Sequence, residues 1–269
     1  MSEAIGLLAG NGALPGLFAA AARARGLAVH AVAVRGEADP ALGAQVASLS
    51  WIRLGQLGRA RQVFQSHGVA RAVMAGGIRR VRSLSQAWPD AGMLQAVRGL
   101  RSLRDDGLLR AMAGYFEAGG VKVISATELL PQVLAREGLL AGPALSPEEE
   151  RDVALGREVA LALGAADVGQ TVVVKGGVVL AVEAVEGTDE AIRRAGRLGG
   201  AGAVVVKRVK PGQDTRFDLP AIGPVTLEVM REVGARVLAV DAGHTVLLDA
   251  QALFETAPRL GISVLGVRT

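Results

Sequence analysis

Short apolar runs that stop at glycine and give way to a helical segment recur through the first half of this chain, and that rhythm leaves few folds open. Ala4–Leu8 runs into Ala9-Gly10-Asn11-Gly12-Ala13-Leu14-Pro15-Gly16, after which Leu17–Arg25 reads as a helix stopped by Gly26. Ala28–Val34 reads as a second strand and Arg59–His67 as a second helix. Ala72–Ala75 ends in Gly76-Gly77, helices follow near Met93–Leu103 and Asp106–Ala118, and Val121–Ser125 closes the series. A continuous apolar run of strand length suits a strand covered on both faces, and its alternation with helices predicts a parallel, Rossmann-like sheet.

The second half keeps a different rhythm. Residues 131–146 carry Pro131, Gly138, Gly142 and Pro143 and read as a linker between a domain at 1–130 and another at 147–269. Ser146-Pro147-Glu148-Glu149 is a helix start in which Ser146 caps, Pro147 sits in the first turn and Glu149 closes a capping box, with the helix running to about Leu163. Gln170–Lys175 and Val178–Ala184 flank Gly176-Gly177 as a hairpin. Thr188 is placed to cap a helix through Leu198, Ala203–Val209 reads as a strand, and Lys210–Gly223 as a long polar loop. Helices at Val225–Val233 and Ala250–Leu260 and strands at Val237–Val240, Thr245–Leu248 and Ile262–Gly266 complete a mixed-sheet α/β domain.

Composition removes whole classes of function. At 269 residues and 50% hydrophobic, the chain can bury two cores, yet only 3% of it is aromatic, too little for base-stacking platforms. The net charge of +4 is spread along the chain and its densest cluster, Arg79, Arg80 and Arg82, is short, so an anionic small molecule is expected rather than nucleic acid. With no cysteine there is no disulfide, thiolate or zinc–cysteine chemistry, and a reducing, cytoplasmic setting is expected. His30, His67 and His244 lack metal-ligand spacing, and no apolar run reaches the ~18 residues of a membrane span.

Candidate chemistry falls in a few segments. The turn at Gly10, Asn11 and Gly12 precedes a helix, where backbone N–H groups and the helix dipole suit a phosphate, although Pro15 stands where a dinucleotide fingerprint needs its third glycine. Arg79 follows a strand end, the usual ligand side of an open α/β sheet. Asp105 and Asp106 open a helix as simple caps. The richest segment, 207–223, gathers Lys207, Arg208, Lys210 and Arg216 with Gln213, Asp214, Thr215 and Asp218. Such long loops are uncommon unless functional, and their cations suit phosphate oxygens while a carboxylate suits magnesium. Glu183 and Glu186 resemble an acid or metal pair beside Thr188 and Asp189, and Gln170 starts the preceding strand. P-loop, Nudix, metallophosphatase and Gly-x-Ser-x-Gly signatures are all missing.

Together these motifs resemble one family. Leu-Ala-Gly-Asn-Gly-Ala-Leu-Pro (8–15), Ala-Gly-Gly-Ile-Arg-Arg (75–80), Arg-Asp-Asp-Gly-Leu-Leu-Arg (104–110), Asp-Val-Gly-Gln (167–170), Val-Glu-Ala-Val-Glu-Gly-Thr-Asp (182–189) and Gln-Asp-Thr-Arg-Phe-Asp-Leu-Pro-Ala-Ile-Gly (213–223) follow the pattern of the LpxI family, the UDP-2,3-diacylglucosamine pyrophosphatases. The resemblance implies a Rossmann-like N-terminal domain, a C-terminal α/β domain, and magnesium- or manganese-dependent hydrolysis of UDP-2,3-diacylglucosamine to UMP and lipid X in lipid A biosynthesis. It makes Asp218 the essential carboxylate; the residues themselves add Asp214 and Arg216 beside it in catalysis, and Glu186 and Glu183 with Asp218 as metal ligands. Gly10, Asn11, Gly12, Arg79, Gln170, Thr188, Asp189, Lys207, Lys210 and Gln213 become the expected substrate contacts. A lipid-anchored substrate implies peripheral visits to the inner membrane and leaves room for a homodimer. A non-catalytic UDP-sugar or lipid-binding protein and a dinucleotide oxidoreductase are the competing readings.

Overall fold

The computed structural model describes residues 2–78, 88–98, 100, 105–216 and 219–269. The chain divides into two compact units, Met1–Pro131 with Asp214–Asp218, and Gln132–Gln213 with Leu219–Thr269. It therefore leaves the second unit after Gln213 and returns at Leu219.

In the first unit, β1 (Ala4–Ala9), β2 (Ala28–Val34), β3 (Ser48–Ile52), β4 (Arg71–Ala75) and β5 (Lys122–Ile124) form one sheet in the order β3-β2-β1-β4-β5. Each neighbouring pair is parallel. This is the strand order of a doubly wound nucleotide-binding sheet, with its switch point between β1 and β4. The alternation of the strands shows why the runs are continuously apolar. Leu8, Val32, Val34, Ala72, Met74 and Val123 share one core with Phe64 and Phe116. The intervening Ile5, Leu7, Val29, Ala31 and Val73 are buried as well, so both faces are covered.

The helices of this unit are α1 (Leu14–Ala24), α2 (Leu57–Ser66), α3 (Ala91–Val97) and α4 (Asp105–Ala118). Helix α1 starts three residues before the expected Leu17, because Pro15 falls in the first turn, where its missing N–H costs no intrahelical bond. Helix α3 ends at Val97 rather than near Leu103. Strand β3 was not foreseen. Its Ser-Leu-Ser-Trp-Ile sequence is half polar because it is an edge strand and only Ile52 is fully enclosed.

The second unit holds six strands in the order β6-β13-β11-β9-β7-β8. They are β6 (Gly138–Ala141), β7 (Thr171–Lys175), β8 (Val178–Val182), β9 (Val204–Lys207), β11 (Val237–Asp241) and β13 (Ser263–Val267). The central β9, β11 and β13 run parallel, whereas β6, β7 and β8 pair antiparallel, so the sheet is mixed as expected. Two-residue strands β10 (Ala221–Ile222) and β12 (Val246–Leu247) pair outside it, so Thr245–Leu248 contributes no strand to the main sheet. Within the segment expected as a linker, 131–146, Gly138–Ala141 is strand β6 on the sheet edge, its two leucines partly or largely exposed.

Helix α5 (Pro147–Ala165) covers one face of this sheet through Val153 and Ala160, against Val172, Val174, Val204, Val206 and Val237. Helices α6 (Thr188–Gly199), α7 (Pro224–Val233) and α8 (Ala250–Arg259) cover the other, where Ile192, Leu227, Met230 and Leu253 meet Val173, Val205, Leu238 and Val264. The valine-rich strands thus send alternate side chains to opposite faces. The capping box at Ser146 and Glu149 forms as read, with both reciprocal bonds present. Gly176 and Gly177 both take positive φ, which the two-residue turn between β7 and β8 requires, and the buried Asp152 accepts both their N–H groups at 2.7 Å.

Candidate active site

A cavity of about 310 Å³ in the second unit is lined by Glu186, Gly187, Thr188, Asp189, Lys207, Ala221 and Thr226. Three local features build it. Strand β9 ends on Lys207, whose side chain is almost wholly enclosed and whose Nζ donates to the Ala221 carbonyl at 3.0 Å. Helix α6 begins beside it, and Gly187, at φ +86, is its N-cap. Thr188 was expected to cap this helix; it is instead the first helical residue, and no side chain caps the turn. Helix α7 contributes Thr226 from its first turn, which follows the Gly223 cap. An ammonium group beside an uncapped helix N-terminus favours an anion, by charge and by backbone N–H donors together.

Thr188 belongs to a polar chain behind the cavity. Its hydroxyl donates to Glu183 Oε1 at 3.1 Å and lies 3.2 Å from the hydroxyl of Thr171, a fully buried residue. Glu183 Oε2 accepts the Gln170 backbone N–H at 3.4 Å. The Gln170 side-chain carbonyl is buried and makes no hydrogen bond among the described residues. Thr171 faces Lys207 across the β7–β9 ladder, which is how residues 36 apart in sequence come to line one place.

The two glutamates expected as a metal pair have separate duties. Glu183 holds Thr188, whereas Glu186 is ion-paired with Arg194, which also donates to the Val182 carbonyl. The Glu186 backbone N–H, followed by the Arg194 guanidinium, keeps the Glu186 carboxyl below the usual carboxylate range. Among the described residues no three Asp, Glu or His side chains cluster as a metal cage. The oxygen donors that do face one cavity are those of Glu186 and Asp189.

The charged loop divides between the units. Lys210 Nζ pairs with Asp167 at 2.9 Å, and Gln213 closes the turn by accepting the Lys210 N–H through its side chain. In the first unit Arg216 is held on two sides: its Nε and one terminal nitrogen bond both oxygens of Asp214, and the other terminal nitrogen bonds Glu117 at 2.8 Å. The Arg216 guanidinium draws the Asp214 carboxyl below its usual range, and Asp214 in turn raises the Arg216 pKa. Asp214 is therefore built to orient Arg216. Asp218 and Arg79 lie outside the described residues.

The turn at Gly10, Asn11 and Gly12 sits at the switch point of the first sheet, and much of its backbone is already bonded. Gly10 N–H donates to Ala75 O, and Asn11 and Gly77 exchange both backbone bonds at 2.8 and 3.1 Å. A Cβ at Gly10 would collide with the Gly77 carbonyl oxygen, and one at Gly76 with the Asn11 carbonyl oxygen. The Asn11 side chain donates to Glu37 at 2.7 Å. These glycines let the β1 and β4 loops close on one another.

Sequence reading missed a further charged centre in the second unit. Asp241, fully buried at the end of β11, accepts from Arg157 at 2.7 Å, from Arg208 Nε at 3.3 Å and from the Val209 N–H at 3.0 Å. It anchors the two residues that follow Lys207. A lone Asp at the end of an apolar run carries no periodic signal, so only its position in the sheet reveals it.

Fold and cavity together define a two-unit α/β protein with an anion-suited cavity in its C-terminal unit. The chain belongs to the LpxI family: residues 4–133 match the LpxI N-terminal domain and residues 136–265 the LpxI C-terminal domain. It is 34% identical over 278 aligned positions to the UDP-2,3-diacylglucosamine pyrophosphatase LpxI of Caulobacter vibrioides, covering 98% of this chain and 97% of that one. The resemblance read from the motifs is thereby borne out. Among solved structures, a UDP-glucose-4-epimerase from Stenotrophomonas maltophila is 14% identical, with a TM-score of 0.30 over 55% of this chain and 40% of that one. The structure titled gox2253 is 13% identical, with a TM-score of 0.29 over 96% of this chain and 81% of that one.

Proposed function

We propose that this chain hydrolyses the diphosphate of UDP-2,3-diacylglucosamine to UMP and 2,3-diacylglucosamine 1-phosphate, a step of lipid A biosynthesis. The observation that carries the reading is the end-to-end match to a pyrophosphatase of that name, through both domains. The cavity supports it. Diphosphate hydrolysis asks the protein chiefly for placement and for charge neutralisation. Lys207 and the first turn of α6 supply positive potential there, and Lys207 is held in place through the Ala221 carbonyl.

In this reading Asp218 is the essential carboxylate, and Asp214 with Glu117 fixes the plane of Arg216 for contact with phosphate oxygens. Lys210 and Gln213 shape the loop that carries these groups. Asp189, Gly12, Asn11 and Arg79 are further substrate contacts of the same proposal. Magnesium or manganese fits the donor set, because a hard cation that shares oxygens with substrate phosphates and water needs only one or two carboxylates. Asp218 is the carboxylate this proposal assigns to it, and when bound it would supply Lewis acidity toward a phosphoryl oxygen. Glu183 is taken up by Thr188 and the Gln170 N–H, which argues against the direct metal role first expected of it.

No helix among the described residues is long and apolar enough to cross a membrane. The acyl chains of the substrate make a cytoplasmic protein that visits the inner membrane peripherally the setting of this proposal. Vesicle flotation checks that setting, and sedimentation of the purified chain distinguishes a monomer from a homodimer. The decisive test is incubation of the purified chain with UDP-2,3-diacylglucosamine, with and without magnesium, followed by phosphorus NMR. Appearance of UMP and the sugar 1-phosphate is expected. Binding without turnover would make the protein a UDP-sugar carrier instead.

A further inference from the structure

We propose that Thr188 reads a sugar hydroxyl of the substrate, as a hydrogen-bond acceptor, and that Glu183 is the positioning residue that gives it this polarity. The inference rests on the hydrolase reading above and refines it.

A threonine hydroxyl has one proton to give and two lone pairs to offer, and an ionised carboxylate can only accept. The Thr188 proton is committed to Glu183 Oε1 at 3.1 Å. The contact of 3.2 Å between the Thr188 and Thr171 hydroxyls must then have Thr171 as donor. That assignment also satisfies Thr171, which is fully buried on β7. Among the described residues Thr188 retains one lone pair, and it stands at the wall of the cavity. A phosphate oxygen is an acceptor and would repel that lone pair. A hydroxyl is a donor and would complete it.

The remaining lining agrees. Asp189 and Glu186 add acceptor-only carboxylates on the Thr188 side, while the cation of the cavity is Lys207 at the end of β9. The cavity is thus polarised by group rather than by element: the side-chain acceptors of Thr188, Asp189 and Glu186 suit hydroxyls, while Lys207 and the backbone N–H groups of the first turn of α6 suit phosphate. A sugar phosphate carries both kinds of group on neighbouring atoms. Backbone geometry holds the device in place, since a Cβ at Gly169 would collide with the Glu183 carbonyl oxygen and the Glu183 N–H donates to Thr171 O at 2.8 Å.

The test crosses Thr188 variants with substrates that each lack one hydroxyl: the 4-deoxy and 6-deoxy glucosamine analogues and the 2′-deoxy and 3′-deoxy uridine analogues. For one analogue, wild type is expected to lose about tenfold in kcat/KM, the scale of a single hydrogen bond with its unpaired partner left behind. Thr188→Val should lose a similar factor on the complete substrate and nothing further on that analogue. Thr188→Ser should recover most of the loss, which separates a missing hydroxyl from a damaged helix start. Glu183→Leu releases the Thr188 proton and should shrink the coupling; full coupling in that variant would remove Glu183 from the device. A Thr188→Val loss of equal size on all five substrates would place Thr188 against phosphate or in the scaffold and overturn the proposal. Wild type that releases no UMP from the complete substrate would overturn the hydrolase reading first, before any variant is compared.

Discussion

Asp241→Ala is the most demanding test of how the charged loop is held. The substitution removes a carboxylate with no exposed surface and leaves three donors without their acceptor: Arg157, Arg208 and the Val209 N–H. The two arginine side chains are only 15% and 13% exposed, so water cannot fully replace the lost partner. Breaking a buried ion pair by deleting one partner costs about 3–5 kcal/mol. The orphaned N–H falls within that range, because the Val209 segment can shift toward solvent. Urea unfolding followed by circular dichroism should register this loss. Trp51 and Trp88 both lie in the first unit, so tryptophan fluorescence serves as an internal control on that half. Replacing the group as a whole, with Asp241→Leu, Arg157→Met and Arg208→Met together, should recover more than half of the loss. A cost below about 1 kcal/mol for Asp241→Ala, the level of an ordinary surface change, would refute the claim that this carboxylate anchors the residues after Lys207.

Three further outcomes follow from the geometry. Lys207→Met removes the enclosed cation and should lower kcat about 100-fold in a UMP-release assay, with circular dichroism unchanged; retention of wild-type turnover would take Lys207 out of the site. Asp152→Ala withdraws the acceptor of two turn N–H groups and should destabilise the chain by about 3 kcal/mol in urea unfolding, with the excess hydrogen exchange concentrated at Gly176 and Gly177. His30 stacks on His67 with ring centroids 4.1 Å apart, and burial, then the His67 charge, lowers its pKa from 6.5. Its contribution to stability is therefore complete above that value and is lost as pH falls through the interval down to the folded pKa, since the unfolded chain takes up the proton first. His67→Ala should move the His30 titration back toward 6.5 by NMR, and an unmoved midpoint would leave burial as the whole cause.

Much of the fold was legible because strands covered on both faces must be apolar throughout. Ala28–Val34 could be bounded from residue types alone, and the capping box at Ser146 announced α5 because its chemistry is local. Strands β3 and β6 escaped because an edge strand needs only half an apolar pattern, so Ser48–Ile52 and Gly138–Ala141 look like loops until their partners are known. The site was legible as a set of residue types in order, which suffices to place the chain in its family. What each charge does was not.

Glu183 and Glu186 look alike three residues apart, yet one ends on the Thr188 hydroxyl and the other on Arg194, because the turn between β8 and α6 points them to different neighbours. The turn around Gly10 has the composition of a phosphate loop, but its first amides are bonded to the strand-end loop of β4. Asp241 was invisible in sequence, yet its fully enclosed carboxylate at the end of β11 holds Arg208 and Val209 at the start of the charged loop. Local residue types determined where strands, turns and helix starts fall, since those depend on neighbours a few residues away. The direction of each proton and the partner of each charge were decided only when β7, β9 and β11 came together, because hydrogen bonds and ion pairs act over about 3 Å and the chain brings those atoms together from distant positions.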